Sequence, residues 1–269
     1  MKKNKILITV LSVFIILSLL FFSGLYIIQP FIVFPRSGNS SYEDFYSFQN
    51  TEKINIDGKY SGFLYLSPDN SGKTMIYFGG NMQTSLNSMD VFFADEIYKK
   101  IPGYNFLTVD IPGYGNSSGR PGDLSIHEMA DAVLSFVKAD DRLNKEIDLM
   151  GFSIGTGAAS YAAKDPAVNK LILAAPYDSI GTVYNDKINV FHGPLKLIQR
   201  YELNSAYYAE QSQAKVLIFA SISDETIPYK SSVELSKHFK DARLITIEGS
   251  HNSVLNEDTW KETGAFLAG

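Results

Sequence analysis

Residues Ile6 to Ile28 form one unbroken apolar block, whereas the chain beyond residue 50 alternates short apolar runs with amphipathic stretches. The runs Thr74–Phe78, Asn105–Val109, Ile147–Met150, Leu171–Ala174, Val216–Ala220 and Leu244–Ile247 have strand length. They are almost continuously apolar, the pattern of strands buried on both faces. Lys53–Ile56 and Gly62–Leu66 predict a leading antiparallel pair. Between the runs, Ile126, Met129, Val133, Phe136 and Val137 repeat at helical spacing and define one face of a helix. A closing helix is expected over Asp258–Leu267. Strands alternating with helices predict an α/β fold: a mostly parallel sheet with helices on both faces and its chemistry at the carboxyl ends of the strands. No repeat, low-complexity tract or Pro/Gly/Ser linker divides the chain after residue 40.

The apolar block is 23 residues long and carries no charge. At about 1.5 Å per residue it spans roughly 34 Å, enough to cross a hydrocarbon core of about 30 Å. A secretory signal has a shorter apolar core, about 7–15 residues, and a small-x-small cleavage site. Phe21-Phe22-Ser23-Gly24-Leu25 is a poor match to such a site, so an uncleaved signal-anchor over 6–28 is expected. Lys2, Lys3 and Lys5 make residues 1–5 a basic cytoplasmic stub and place the rest on the outer side of the membrane. Residues 29–49 read as a juxtamembrane segment, in which Phe31 and Phe34, with Tyr26 just before it, are available either for an aromatic collar or for packing on the domain. Residues 50–269 read as the globular domain.

Charge and cysteine content narrow the chemistry. The net charge is −5, and setting aside the three leading lysines of the 24 basic residues leaves 21 against 29 acidic ones. A nucleic-acid partner needs a basic face, and no Lys/Arg cluster supplies one. With no cysteine there is no disulfide, thiolate metal site or cysteine nucleophile.

The pattern G-x-S-x-G occurs twice. A nucleophile elbow needs a buried strand before its serine and a helix after it. Gly115-Asn116-Ser117-Ser118-Gly119 lies between Ile111-Pro112-Gly113-Tyr114 and Arg120-Pro121-Gly122, which are loop sequences. Gly151-Phe152-Ser153-Ile154-Gly155 follows a strand and leads into Thr156-Gly157-Ala158-Ala159. Ser153 is therefore the predicted nucleophile, with Gly151 and Gly155 allowing strand and helix to approach closely. Serine needs a base. His127 and His238 read as surface residues on helices and His192 lies in an irregular stretch, whereas His251 follows the last strand and the turn Glu248-Gly249-Ser250. Asp224, just after Val216–Ala220, is the predicted orienting acid, with Glu225 as the fallback. For a developing oxyanion, the backbone N–H of Ile154 is one expected donor. Phe78-Gly79-Gly80-Asn81-Met82 supplies the second, from Asn81 first and Met82 next.

Taken together, these segments resemble the α/β-hydrolase superfamily over roughly residues 50–267, and more narrowly its small-lid, often membrane-tethered abhydrolase-domain group. The family's oxyanion motif H-G-N-A is matched by Gly79-Gly80-Asn81-Met82, with glycine in place of histidine. Its loop R-G-Y-G-x-S is matched by Pro112–Ser117, and its acid motif H-G-x-x-D-x-x-V-P by Ala220–Pro228. The base motif G-x-x-H is matched by Gly249-Ser250-His251, one residue shorter. The resemblance places a lid at about residues 176–213, which at this length holds two or three short helices.

These features lead to the expectation of a membrane-anchored serine hydrolase that cleaves carboxylic esters or thioesters through an acyl-enzyme on Ser153, without metal or organic cofactor. Its expected partners are the membrane and a small-molecule, lipid or acylated-protein ester. Nucleic acid is not among them. A serine peptidase or amidase of the same fold is the first rival, marked by turnover of aminoacyl arylamides. A non-catalytic membrane scaffold is the second, marked by failure to react with an active-site serine probe.

Overall fold

The computed structural model describes residues 2–35 and 48–269, without the side chain of Lys3. Met1 of the basic stub and residues 36–47 of the expected juxtamembrane segment lie outside the described residues. Eight strands form one sheet in the order β1-β2-β4-β3-β5-β6-β7-β8. They are β1 (Thr51–Ile56), β2 (Tyr60–Tyr65), β3 (Lys73–Phe78), β4 (Tyr104–Val109), β5 (Glu146–Phe152), β6 (Val168–Ala174), β7 (Lys215–Ser221) and β8 (Ala242–Ile247). β1 and β2 are the expected antiparallel pair, β2 is antiparallel to β4, and every pairing from β4 to β8 is parallel. The fold is therefore α/β, as the run pattern predicts. From β3 the chain steps to β4 on one side and later returns to β5 on the other. That reversal leaves a crevice beyond the carboxyl ends of β3 and β5, where such sheets bind ligands.

The helices are α1 (Lys2–Val33), α2 (Ser85–Ala94), α3 (Ile97–Lys100), α4 (Asp123–Ala139), α5 (Gly155–Ala162), α6 (Ile180–Ile188), α7 (Ser205–Ala209), α8 (Tyr229–Ser236) and α9 (Glu257–Ala268). In α4 the residues at i, i+3, i+4 and i+7 from Ile126 are all buried, so the helix faces the sheet with one stripe. α9 is set by the Asn256 side chain, which accepts from the Thr259 N–H, and by Glu257 and Asp258 in its first turn. The core lies in two layers, one on each face of the sheet, joined through the inner strands. β8 departs from expectation. Its residues are exposed or half-buried because it lies at one edge of the sheet.

The stretch expected to form the lid holds α6, a 3-10 turn at Gly193–Ile198, and α7. α1 is apolar and exposed along most of its length, and is long and apolar enough to cross a membrane. Among the described residues, its carboxyl end is the part buried against the body. Gln29, Val33 and Phe34 are buried there. Gln29 donates to the Ile198 carbonyl at 2.9 Å and accepts from the Arg200 N–H at 2.7 Å, which satisfies a polar group inside an otherwise apolar helix. Phe34 packs edge-on against Tyr201, Tyr26 lies under the Arg200 guanidinium, and Phe31 stays exposed. Of the three aromatics available for a collar, Phe34 belongs to the domain.

Candidate active site

β5 ends in a turn that only a constrained residue can make. Ser153 has φ +52°, the left-handed region that L-residues avoid, and its N–H is held by the Ala174 carbonyl at 2.9 Å. The turn needs its two glycines for space. A Cβ on Gly151 would sit 2.7 Å from Thr156 Cα, and one on Gly155 would sit 2.1 Å from the Phe78 carbonyl oxygen. Those contacts are with backbone, so neither can move aside cheaply. α5 starts at once, and its Ala158, Ala159 and Ala162 let it lie close against the strand.

The three residues expected to work together are brought together. His251 Nε2 lies 2.9 Å from Ser153 Oγ, and His251 Nδ1 lies 2.7 Å from Asp224 Oδ2. A carboxylate only accepts, so Nδ1 carries the proton toward Asp224 and Nε2 is left to accept from the serine hydroxyl. The other Asp224 oxygen accepts from the N–H groups of Thr226 and Ile227, at 2.8 and 2.7 Å. The Asp224 side chain is 2% exposed, so little water competes for it. Glu225 faces elsewhere. It accepts from the backbone N–H of His251 at 3.0 Å, and its carboxyl is held below the usual range, first by its own N–H and then by that of His251. One acid orients the ring and its neighbour anchors the loop that carries it.

The Ile154 and Asn81 amides border the same cavity as Ser153, and neither donates to any acceptor among the described residues. Met82, the second choice, has φ +63°, a half-exposed side chain and no place in the cavity wall. The Asn81 side chain is locked, donating to the Val33 carbonyl at 2.8 Å and accepting from the Tyr114 hydroxyl at 3.0 Å. Gly80 donates its N–H to Gln83 Oε1 at 2.8 Å, which pins the loop from beneath. The cavity is about 360 Å³ and is largely apolar, with Ile32, Val33, Ile180, Val183, Ile188 and Ile227 in its wall.

Among the other histidines, His127 differs from expectation. It is half-buried, its ring stacked 3.9 Å from that of Tyr161, and burial pushes its imidazole pKa down. The aromatic residues of α5 and α7 around it were not visible as neighbours from its helix alone. His192 is exposed beside Asn189, and the half-exposed His238 pairs with Glu210. Ser117 lies in a loop as expected, its Oγ accepting from the Ser61 N–H. Several contributors escaped the sequence reading. Phe152 stacks on the His251 ring at 5.3 Å, Gln83 braces the loop after β3, and α1 reaches the cavity. Gln29, a polar residue just after the apolar block, and the aromatics Tyr26, Phe31 and Phe34, read as available for packing on the domain, were the sequence signals of that last contact.

A family profile described as the alpha/beta hydrolase fold matches residues 73–193, which include the loop after β3 and the Ser153 turn. The human protein ABHD12B is 26% identical over 151 residues, 54% of this chain. The match spans only 40% of that relative's length. Among solved structures, the Pyrococcus furiosus esterase Pf2001 aligns over 87% of this chain and 98% of its own, with 19% identity and a TM-score of 0.66. Est1E from Butyrivibrio proteoclasticus, bound to ferulic acid, aligns over 81% and 100%, with 21% identity and a TM-score of 0.64. At such identities the structural likeness speaks for the fold alone. With the strand order and the profile match, it shows that the chain has the α/β-hydrolase fold.

Proposed function

We propose that this chain is a membrane-anchored serine hydrolase that cleaves carboxylic esters or thioesters of lipids or acylated proteins. The α/β-hydrolase fold and the similarity to the human relative support a hydrolase. The observation that carries the finer reading is the continuous relay from Ser153 Oγ through both His251 ring nitrogens to Asp224, at 2.9 and 2.7 Å.

In this reading His251 Nε2 takes the hydroxyl proton as Ser153 Oγ bonds to the acyl carbon. The imidazolium is stabilised by Asp224. Negative charge grows on the former carbonyl oxygen, and the unpaired amides of Ile154 and Asn81 are the donors available to it, with the amino end of α5 adding its dipole. Collapse expels the alcohol or thiol, which leaves with the proton from His251. Water then attacks the acyl-enzyme with the same base, freeing the acid and restoring the Ser153 hydroxyl. The apolar lining favours an acyl chain as the group next to the carbonyl. α1 spans the bilayer with its lysines on the cytoplasmic side, and the hydrolase domain is extracytoplasmic.

The test uses the full chain in detergent, wild type beside Ser153→Ala, with a fluorophosphonate probe and p-nitrophenyl esters from acetate to palmitate. The expected outcome is labelling of the wild type alone and a loss of kcat of about 10⁴-fold or more in the variant. A folded wild type that neither labels nor turns over any ester would remove the proposal. Faster turnover of aminoacyl arylamides than of esters would replace it with a peptidase.

A further inference from the structure

We infer that the last turn of α1 is a working wall of the acyl pocket, which sorts acyl chains at Ser153 and receives them from the bilayer that the helix leaves. The inference rests on Ser153 as nucleophile and on α1 as the anchor, and goes beyond both by making the anchor part of the site.

Several independent observations converge on this turn. Ile32 and Val33 line the cavity that holds Ser153, Ile154 and Asn81, opposite a chain segment about 120 residues away in sequence. The final carbonyls of a helix lack partners within the helix. Here the Val33 carbonyl takes the Asn81 side-chain N–H, and the Pro35 carbonyl just beyond takes the Tyr114 hydroxyl at 2.9 Å. The single Tyr114 proton is shared between that carbonyl and Asn81 Oδ1 at 3.0 Å, so the loop carrying one expected oxyanion donor is held by the end of α1. Gln29, one turn earlier, fixes the helix to the 3-10 turn of the lid through its two hydrogen bonds. The contact is therefore built from polar groups with defined directions, as well as from apolar packing.

The position of that wall decides the direction of entry. The block Ile6–Ile28 ends four residues before Ile32, a rise of about 6 Å, and the helix stays uncharged through Val33. The cavity wall thus lies at the carboxyl end of the same apolar helix. Ile32 is 56% exposed and Ile188, across the same cavity, is 48% exposed. Two large apolar side chains at a cavity rim are unfavourable against water and favourable against acyl chains. The occupant that fits is the acyl chain of a lipid-borne ester still seated in the outer leaflet, sliding along α1 to place its carbonyl at Ser153.

Two measurements test this, both on the full chain. The first compares wild type, Ile32→Trp and Ile32→Ala on p-nitrophenyl esters of increasing length. The Trp variant is expected to lower the decanoate-to-acetate ratio of kcat/KM about tenfold, and the Ala variant to move the preferred chain longer. Both variants keeping the wild-type profile would overturn the wall. The second exploits the absence of cysteine. Single cysteines at Ile32 or, as control, at Lys145, which precedes β5 at the opposite end of the sheet from Ser153, are labelled with bimane in vesicles. Lipid brominated near its headgroups should quench the first at least twofold and leave the second unchanged. Equal quenching, or none at Ile32, would overturn entry from the bilayer. This readout needs no turnover, so it separates failure of the inference from failure of the hydrolase reading, which shows as wild-type protein without labelling or ester cleavage.

Discussion

Ser117 and Ser153 each occupy the centre of a G-x-S-x-G run, each is 6% exposed, and each hydroxyl oxygen lies about 3 Å from a nitrogen. The nitrogens differ. Ser117 Oγ faces the backbone amide of Ser61, which has a proton to give and no lone pair to take one. Ser153 Oγ faces an imidazole nitrogen whose partner across the ring is already tied to a carboxylate. The backbones differ as well. Ser153 is held at φ +52° between a buried strand and a helix, whereas Ser117 sits in a loop whose turns are closed by Gly113, Tyr114 and Lys59. Pattern and burial are shared, so what sets the proposed nucleophile apart is the chemistry of its partner and the constrained turn that presents it.

The largest test of that contrast is to remove each hydroxyl in turn. Ser117→Ala should leave ester turnover within about threefold of wild type, against the loss of about 10⁴-fold expected for Ser153→Ala. It should still lower stability by about 1–3 kcal/mol, because the buried Ser61 N–H loses its acceptor. Comparable activity losses in the two variants would erase the distinction.

The final glycines come next. Gly155→Ala would drive its Cβ into the Phe78 and Gly79 carbonyls, at 2.1 and 2.5 Å, so loss of folded protein or a large drop in Tm is expected. Gly119→Ala finds nothing closer than 3.8 Å, but pays for φ +101°, on the order of 1–2 kcal/mol. Thermal melts of the two variants, run side by side, check the order.

The effect furthest from the two serines concerns the strand beneath the Ser153 turn. Asp148 on β5 is fully buried, accepting from the Lys170 N–H and the Tyr104 hydroxyl, and burial pushes its carboxyl up to about 6. An acid whose pKa is raised on folding holds its proton more tightly in the native state. Its contribution to stability is greatest below its ordinary value near 3.8 and is lost as pH rises toward 6, by on the order of 3 kcal/mol. Asp148→Asn should flatten that part of the stability profile between pH 4 and 6, read by urea denaturation. An unchanged slope would mean that Asp148 is charged at no cost.

Much of this was legible before any coordinates. The inner strands announced themselves because burial on both faces leaves no polar position to confuse the pattern, as in Leu171–Ala174. Ser153, Asp224 and His251 were legible because each must follow a strand in a set order. The choice between Asp224 and Glu225 was less accessible, since adjacent residues share their sequence context and only the direction of each side chain separates them. β8 was misread as fully buried because its apolar letters do not reveal that it ends the sheet among the described residues. The α1 wall was out of reach, because contacts such as Asn81 with Val33 join distant stretches through a side chain and a carbonyl, neither of which leaves a periodic trace.

The Gln29 bridge has a mechanical consequence. A membrane protein whose globular part hangs from a loose tether can swivel freely over the lipid surface. Here the helix and the lid are bolted together by the Ile198 and Arg200 backbone at the point where α1 meets the body. With α1 across a bilayer, helix and domain lean as one piece. Helices adapt to bilayer thickness by tilting. With the anchor as proposed, such a tilt would be carried to the angle at which the pocket mouth meets the headgroups, and bilayer thickness would become a control on how easily that mouth is reached.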